Sequence, residues 1–212
     1  MMLGILAAAN RRRSTGPAPL ASANFVTGTF SVGGVTVTAA EIVDHPELIT
    51  GNGLEMIEPA DAVNIVGDFL TVLLTANWTI VLEWNHLDAA SEICPLALTG
   101  AGDDNTVQIR RLDGSRHLFV EDFAGAGYRG VVDSFAFGDG VHKIALTRTN
   151  SKLVFSADGR AVVTGDIEDF ALSPTAAAFG GYPGWTLLPT TYIRSLKIYA
   201  PQNNSLLRAL SV

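Results

Sequence analysis

The chain has 212 residues, 48% of them hydrophobic and 17% charged, and a formal net charge of -7. This composition allows a sizeable core, and the negative charge argues against general nucleic-acid binding, which needs a basic surface. Cys94 is the only cysteine, which excludes an intrachain disulfide, and no apolar run approaches the roughly 18 residues of a membrane-spanning helix, so we expect no membrane insertion.

The first 23 residues differ in composition from the rest of the chain. A short apolar stretch precedes three arginines, which is the reverse of the order in a secretory signal, and the segment "STGPAPLASA" follows. Such a segment buries little surface, so we predict an extended arm over residues 1–23. It is either a frayed terminus or an arm that orders against a partner. The candidate partner contacts are Leu3, Ile5, Leu6, Arg11, Arg12 and Arg13.

Strand patterns begin at Asn24 and continue to the end of the chain. Apolar residues alternate within short runs, and turn residues such as Gly, Asp and Asn separate the runs. About a dozen such runs predict an all-β, two-sheet sandwich over residues 24–212. The predicted strands are 25–30, 32–38, 54–57, 62–65, 78–84, 93–98, 106–111, 118–121, 130–137, 141–146, 153–156, 161–163 and 190–200. A short helical turn is predicted at 205–209.

The alternation also predicts which residues form the core. In "NWTIVLEWNH" the two tryptophans share a face with two aliphatic residues, and Glu83 faces away from them. The predicted core residues are Trp78, Ile80, Leu82, Trp84, Ile144, Leu146, Leu153, Phe155, Leu196 and Ile198. Asp158-Gly159 predicts a tight hairpin turn of the primed type, since such turns need positive φ.

Several segments together resemble the concanavalin A-like lectin and laminin G-like jelly rolls. They are "GNGLEMIEPADAVNIVG", "ANWTIVLEWNH", "GVHKIALTRTNSKLVFSADGRAVV" and "TTYIRSLKIYAPQNNSLLRAL". The resemblance covers roughly residues 50–212, and residue 24 is the alternative start. It implies a two-sheet antiparallel jelly-roll sandwich. One departure is Val141, because the family usually has tryptophan before the histidine. Lectins, glycosidases, adhesion modules and virion proteins share this sandwich, so the resemblance leaves the function open.

The residues do not indicate an enzyme. A glycosidase needs two carboxylates on either side of the scissile bond, and no Glu-x-Asp-x-x-Glu pattern occurs. Glu121 and Asp122 are adjacent, so a regular strand sends them to opposite faces. Glu83 is the best single acid but has no visible partner. His142 would need an acidic residue to orient it, and the sequence does not show which one.

Two loops carry candidate binding residues. The family's calcium sites use Asp and Asn side chains in loops, and "GAGDDNT" offers Asp103, Asp104 and Asn105; the alternative is a polar hairpin tip. Sugar binding favours an exposed aromatic platform, and "GGYPGWTLLP" offers Tyr182 and Trp185; the alternative is packing over a sheet edge or burial in an interface. Apart from calcium, no cofactor is expected.

Three functions are compatible with these features. The combination of a short chain, a basic arm and one lectin-type sandwich resembles small virion proteins of tailed bacteriophages. The first hypothesis is therefore a non-enzymatic virion protein, such as a head-decoration, head-fibre or minor tail protein, located in the virion. Its arm would dock on capsid or tail proteins or on copies of itself. The alternative is a lectin-like module that binds host surface glycans, and a glycosidase is the least favoured hypothesis.

Overall fold

The computed structural model describes residues 16–56, 62–75, 77–87, 93–100, 105–111, 117–124, 127–136, 138–149, 152–166, 174–180 and 191–212. Within these ranges the chain forms sixteen β-strands and two short α-helices. The strands make two antiparallel sheets, and a shared hydrophobic core lies between them. The predicted all-β, two-sheet antiparallel jelly-roll sandwich is therefore confirmed.

The strands of the sandwich are short, and most lie where the alternating patterns predict them. In chain order they are β1 (Ala21–Asn24), β2 (Thr29–Val32), β3 (Val35–Val37), β4 (Ile49–Thr50), β5 (Gly53–Met56), β6 (Val63–Asn64), β7 (Trp78–His86), β8 (Ile93–Thr99), β9 (Asn105–Arg111), β10 (His117–Ala124), β11 (Gly127–Ala136), β12 (Gly140–Thr149), β13 (Lys152–Ala157), β14 (Val163–Asp166), β15 (Ala176–Phe179) and β16 (Thr191–Tyr199). The helices are α1 (Gly67–Leu73) and α2 (Asn204–Leu210).

The larger sheet has ten strands, and its centre is formed by residues that are far apart in the sequence. Its strand order is β14-β13-β12-β7-β16-β1-β2-β3. Along one edge β16 pairs with β7, and along the other it pairs first with β5 and then with β1, while β4 pairs with β5. The smaller sheet has the order β11-β10-β9-β8-β15-β6. Strands β7, β12 and β16 therefore bring three distant segments side by side.

The core forms because apolar residues alternate along the strands of both sheets. All ten residues predicted for the core are at most 1% exposed: Trp78, Ile80, Leu82, Trp84, Ile144, Leu146, Leu153, Phe155, Leu196 and Ile198. Burial of apolar surface at this scale stabilises a domain by roughly 25 cal/mol per Å². The core prediction is confirmed.

The turn after β13 has the predicted conformation. Asp158 has φ 48° and Gly159 has φ 70°, as a primed hairpin turn requires. The N–H of Arg160 donates to the carbonyl of Ala157 at 2.9 Å and closes the turn. The following strand begins at Val163, two residues later than the pattern predicts.

The start of the sandwich differs from the prediction. The pattern predicts one strand over 25–30, but β1 ends at Asn24 and β2 begins at Thr29. A turn separates them, in which Gly28 has φ 64° and the Asn24 carboxamide oxygen accepts a hydrogen bond from the Thr27 N–H at 3.0 Å. β1 begins at Ala21, three residues before the predicted boundary, so the sandwich takes in residues 21–23 of the segment predicted as an arm.

Helix α1 and strand β15 are not predicted by the sequence patterns. Seven residues make about two turns, which is too short for a clear helical periodicity, although Phe69 and Leu73 are four residues apart and both buried. The helix begins at Gly67, which has φ 61° and whose Cβ, if present, would lie 2.7 Å from the carbonyl oxygen of Glu41. In the described part of the chain, no helix has the length and apolar character needed to cross a membrane.

Candidate functional site

The site residues predicted from the sequence lie almost entirely outside the described ranges. Asn105 is the first residue of β9, so its backbone is placed but its side chain is not described. The others that fall outside are Leu3, Ile5, Leu6, Arg11, Arg12, Arg13, Asp103, Asp104, Tyr182 and Trp185. The calcium, aromatic-platform and arm sites therefore stay predictions. Among the residues that are placed, no group of three or more His, Cys, Asp or Glu side chains could hold a metal ion.

The ten-stranded sheet has an outer face that points away from the core, and α2 covers only part of it. Leu207 of α2 packs on Val81, Ala145 and Tyr199, which are buried on this outer face. Successive residues of a strand point to opposite faces, so Glu83 belongs to the same face as Val81. Glu83 is only partly buried. The part of this face beyond the helix is accessible, and we call it the open face.

Four residues directly opposite one another cross the open face in one line. Val141 of β12 pairs with Asn85 of β7, Asn85 pairs with Tyr192 of β16, and Tyr192 pairs with Glu55 of β5. Neighbouring strands are about 4.8 Å apart, so the line extends for roughly 14 Å, the length of a short oligosaccharide. We call Val141, Asn85, Tyr192 and Glu55 the Asn85 row.

The Asn85 row combines a free amide with apolar surface. The Asn85 side chain is partly buried and makes no hydrogen bond to any residue that the structure describes. Val141 beside it is 53% exposed, and Leu87, just beyond the end of β7, is 47% exposed. An amide offers two donors and an acceptor, so the row presents unused hydrogen-bonding groups next to apolar side chains.

The other end of the row is a tyrosine–glutamate pair. The Tyr192 hydroxyl donates to Glu55 Oε1 at 2.9 Å. That hydrogen bond to the carboxylate raises the pKa of Tyr192 above its usual value, so the phenol stays protonated and continues to donate. The remaining lone pairs of the Glu55 carboxylate can accept hydrogen bonds from a ligand.

A cluster of three charged side chains adjoins the row. Arg194 Nε lies 2.9 Å from Glu83 Oε1, and Lys143 Nζ lies 3.4 Å from Glu83 Oε2. The register of β16 shifts at Arg194, between Ile193 and Ser195, and this β-bulge brings the extra residue next to Glu83. We call Lys143, Glu83 and Arg194 the Glu83 cluster. The prediction that Glu83 faces away from the tryptophans is confirmed.

His142 has the acidic partner that the sequence does not reveal. Its Nδ1 lies 3.0 Å from Asp158 Oδ2, and its Nε2 donates to the carbonyl of Gly138 at 2.8 Å. Asp158 also accepts the N–H of Lys143 at 2.9 Å. With both ring nitrogens bonded, His142 joins the start of β12 to the hairpin turn and has no nitrogen left to act as a base.

The His142–Asp158 pair shifts the pKa of both groups. Burial alone would lower the pKa of His142, but the hydrogen bonds to Asp158 and Gly138 outweigh it and raise the pKa above 6.5. Burial alone would raise the pKa of Asp158, but the hydrogen bonds from His142 and Lys143 outweigh it and lower the pKa below 3.8. The pair therefore favours its charged form, as expected for a structural ion pair.

The outer face of the six-stranded sheet differs from the open face. Ala97 pairs with Gln108 on one side and Ala178 on the other, and all three residues are buried. Ala97 and Gln108 lie between residues that face the core, so they point away from it and are nevertheless covered. At these three residues the smaller sheet offers little accessible surface.

Three of the solved structures similar to this chain are described together with a sialylated sugar, sialic acid or gangliosides. The Ruminococcus gnavus IT-sialidase CBM40 bound to alpha2,3 sialyllactose is 17% identical to this chain with a TM-score of 0.62, covering 76% of this chain and 97% of that chain. The Trypanosoma rangeli sialidase in complex with sialic acid is 14% identical with a TM-score of 0.63, covering 90% and 32%. Botulinum neurotoxin type C, whose cell entry depends on interaction with two ganglioside molecules, is 9% identical with a TM-score of 0.51, covering 71% and 40%.

At such low identities the similarity establishes the fold alone, a two-sheet antiparallel β-sandwich like that of the CBM40 module. This chain corresponds to nearly the whole CBM40 module, but to only 32% of the Trypanosoma sialidase. No protein-family model matches the sequence, and no curated protein matches it either. None of the three structures named is a virion protein, so the predicted phage resemblance gains no support from them.

The sequence analysis does not identify the Asn85 row. Asn85 and Tyr192 both occur in strands that the patterns predict, but 107 positions of numbering separate them. The available signal is the outward position of Asn85 next to Trp84, since the residue after a buried tryptophan faces away from the core. The pairing of β7 with β16 and β12 is what brings the row together.

Proposed function

We propose that this protein is a lectin-like carbohydrate-binding module and that the Asn85 row is its binding surface. The observation that carries the proposal is the unbonded Asn85 amide between apolar Val141 and the Tyr192–Glu55 pair. Sugars present hydroxyl groups that donate and accept hydrogen bonds, together with apolar C–H surfaces. Amide and carboxylate groups match the hydroxyls, and aromatic and aliphatic side chains match the C–H surfaces.

The similar structures support a glycan as the ligand. The Ruminococcus module is described as bound to sialyllactose, and the Trypanosoma protein as complexed with sialic acid. These facts concern those proteins, and they make a glycan the first ligand class to test on this fold. The choice of the binding surface rests on the residues of this chain.

We further propose that the module binds glycans without cleaving them. Glu83 contacts two cations on the open face, an arrangement that favours a structural carboxylate over a general acid. Purified protein should release no sugar from oligosaccharides above background. Turnover that disappears in Glu83→Gln or Glu121→Gln would contradict this expectation.

Location in a virion stays a prediction from the sequence. It depends on the arm, which lies outside the described residues apart from 16–23. The virion hypothesis and the lectin hypothesis are compatible with each other. On a phage particle the arm would attach the protein, and the open face would contact glycans of the host. The neighbouring genes of the source genome would test this, since capsid, portal or tail genes beside it would support the virion hypothesis.

A glycan array probed with the wild-type protein and with Asn85→Ala tests the proposed function. We expect the wild type to bind a subset of glycans and Asn85→Ala to bind them at least about tenfold more weakly, because about 1.4 kcal/mol of hydrogen bonding is lost. Asn204→Ala is the matched control, since Asn204 is an exposed asparagine on α2, away from the row. Equal binding by Asn85→Ala and wild type would reject the Asn85 row as the site.

A further inference from the structure

We infer that Glu83 determines glycan specificity, by holding the cations nearest the Asn85 row and so making the row selective for uncharged glycans. This inference rests on the proposed function. It differs from what the similar structures suggest, because two of them are described with sialic acid or sialyllactose, which are anionic.

The argument begins with the position of the charges. Lys143 lies two residues from Val141 on β12, and Arg194 lies two residues from Tyr192 on β16, so both cations are next to the row. Either cation could pair with a sugar carboxylate if it were not already paired, and arginine is especially suited to this because its N–H groups match a carboxylate.

Glu83 contacts both of these cations. One carboxylate oxygen faces Arg194 Nε at 2.9 Å and the other faces Lys143 Nζ at 3.4 Å. Lys143 Nζ also donates to the backbone oxygen of Val212 at 2.7 Å. A sugar carboxylate would therefore have to compete with Glu83, and opposite charges within about 4 Å already favour the existing pairs.

The row itself adds a negative charge rather than a positive one. Its charged member is Glu55, which accepts the Tyr192 hydroxyl and stands at the end of the line. A sialic acid carboxylate placed along the row would meet this like charge. Hydroxyl groups of an uncharged sugar meet no such repulsion, and they can donate to Glu55 and bond Asn85.

The test compares glycans that differ only by a terminal sialic acid, with lactose and 3′-sialyllactose as the defining pair. We expect the wild type to prefer the neutral member of each pair on an array and by titration calorimetry. Glu83→Gln keeps the shape of the side chain and removes its charge, so the preference should move by about tenfold towards the sialylated member. The gain should shrink between about 0.05 M and 0.5 M salt, because exposed charges are screened.

Two further variants separate a charge effect from a structural one. Glu47→Gln is the matched control, since Glu47 is an exposed glutamate paired with His45 outside the open face. The double variant Glu83→Gln with Arg194→Gln should lose most of the gain, because the released guanidinium is then absent and only Lys143, which also donates to the backbone oxygen of Val212, remains. If Glu83→Gln does not fold, the wild type alone is tested. A preference for lactose over 3′-sialyllactose that shrinks as the salt concentration rises supports the inference, and a preference for 3′-sialyllactose overturns it.

The outcomes distinguish this inference from the proposed function. Tighter wild-type binding of 3′-sialyllactose than of lactose, or an unchanged preference in folded Glu83→Gln, would overturn the role of Glu83 while leaving the module a lectin. Full binding by Asn85→Ala would remove the row as the site, and the inference with it. No binding to any glycan pair would contradict both proposals.

Discussion

Glu83 and Asn85 are two residues apart on β7 and point to the same face, yet they differ in what they already bond. The Glu83 carboxylate contacts two cations, whereas the Asn85 amide makes no hydrogen bond to any residue in the described ranges. A polar group that is already paired loses that partner when a ligand binds, whereas an unpaired, partly exposed group gives up only water. At the residue scale, this difference is the reason why we propose Asn85 as the ligand contact and Glu83 as the residue that sets the charge preference.

The His142–Asp158 pair predicts how stability depends on pH. The folded pKa of His142 is raised above 6.5, so its contribution is fully present below about pH 6.5 and is lost as pH rises through the folded pKa. The folded pKa of Asp158 is lowered below 3.8, so its contribution is present above about pH 3.8 and is lost as pH falls through the folded pKa. The pair should stabilise the protein most between these limits.

Asp158→Asn tests this pair with little disturbance of the turn, because asparagine also tolerates positive φ. We expect NMR titration of the variant to show a lower His142 pKa than in the wild type. The melting temperature of the variant should also fall less between about pH 6 and 8 than that of the wild type. An unchanged His142 titration would show that the 3.0 Å contact does not persist in solution.

At the scale of elements, the central strands carry both the core and the site. Leu146 of β12 is fully buried between the sheets, and Val141 of the same strand is exposed in the Asn85 row. We expect Leu146→Ala to lower the free energy of unfolding by roughly 2–5 kcal/mol, through lost burial and the cavity left behind. Val141→Ala is the control from the same strand and should change stability by less than about 0.5 kcal/mol. Chemical denaturation measures both, and equal costs would contradict the assignment of faces.

How much of these elements the sequence predicts depends on how far apart along the chain the interacting residues lie. The alternation in "NWTIVLEWNH" involves only one strand and the core that it faces. The buried face of β7 is therefore predictable without knowing which strands pair with it. The turn at Asp158-Gly159 is equally local. Helix α1 is too short to show a period, and its start depends on contact between Gly67 and the distant Glu41.

The Asn85 row is a long-range feature, and that is why sequence patterns miss it. Tyr192 reaches Asn85 only because β16 pairs with β7, and the bulge at Arg194 sets which residue meets Glu83. A one-residue change of register would move every side chain of β16 to the other face. Patterns within single strands predict each face, but they do not predict which strands are neighbours.

At the scale of the whole molecule, the sandwich should fold without the segment before it. The described contacts of the sandwich begin at Leu20, whose N–H donates to the carbonyl of Ile198, and β1 follows at once. We expect deletion of residues 2–16 to leave a folded, soluble protein with a melting temperature close to that of the full chain. If the protein is a virion component, the truncated form should no longer join the particle. Incorporation at wild-type occupancy would mean that docking belongs to the sandwich surface.

The central claim is that the open face of the ten-stranded sheet binds a glycan through the Asn85 row. Two-dimensional NMR of labelled protein, titrated with the best glycan from the array, tests it most directly. We expect the largest shift changes at the Asn85 side-chain amide and at the backbone amides of Val141 and Tyr192, with little change at Ala97 and Gln108 on the smaller sheet. Changes confined to Ala97, Gln108 and their neighbours, with Asn85 unaffected, would contradict the claim.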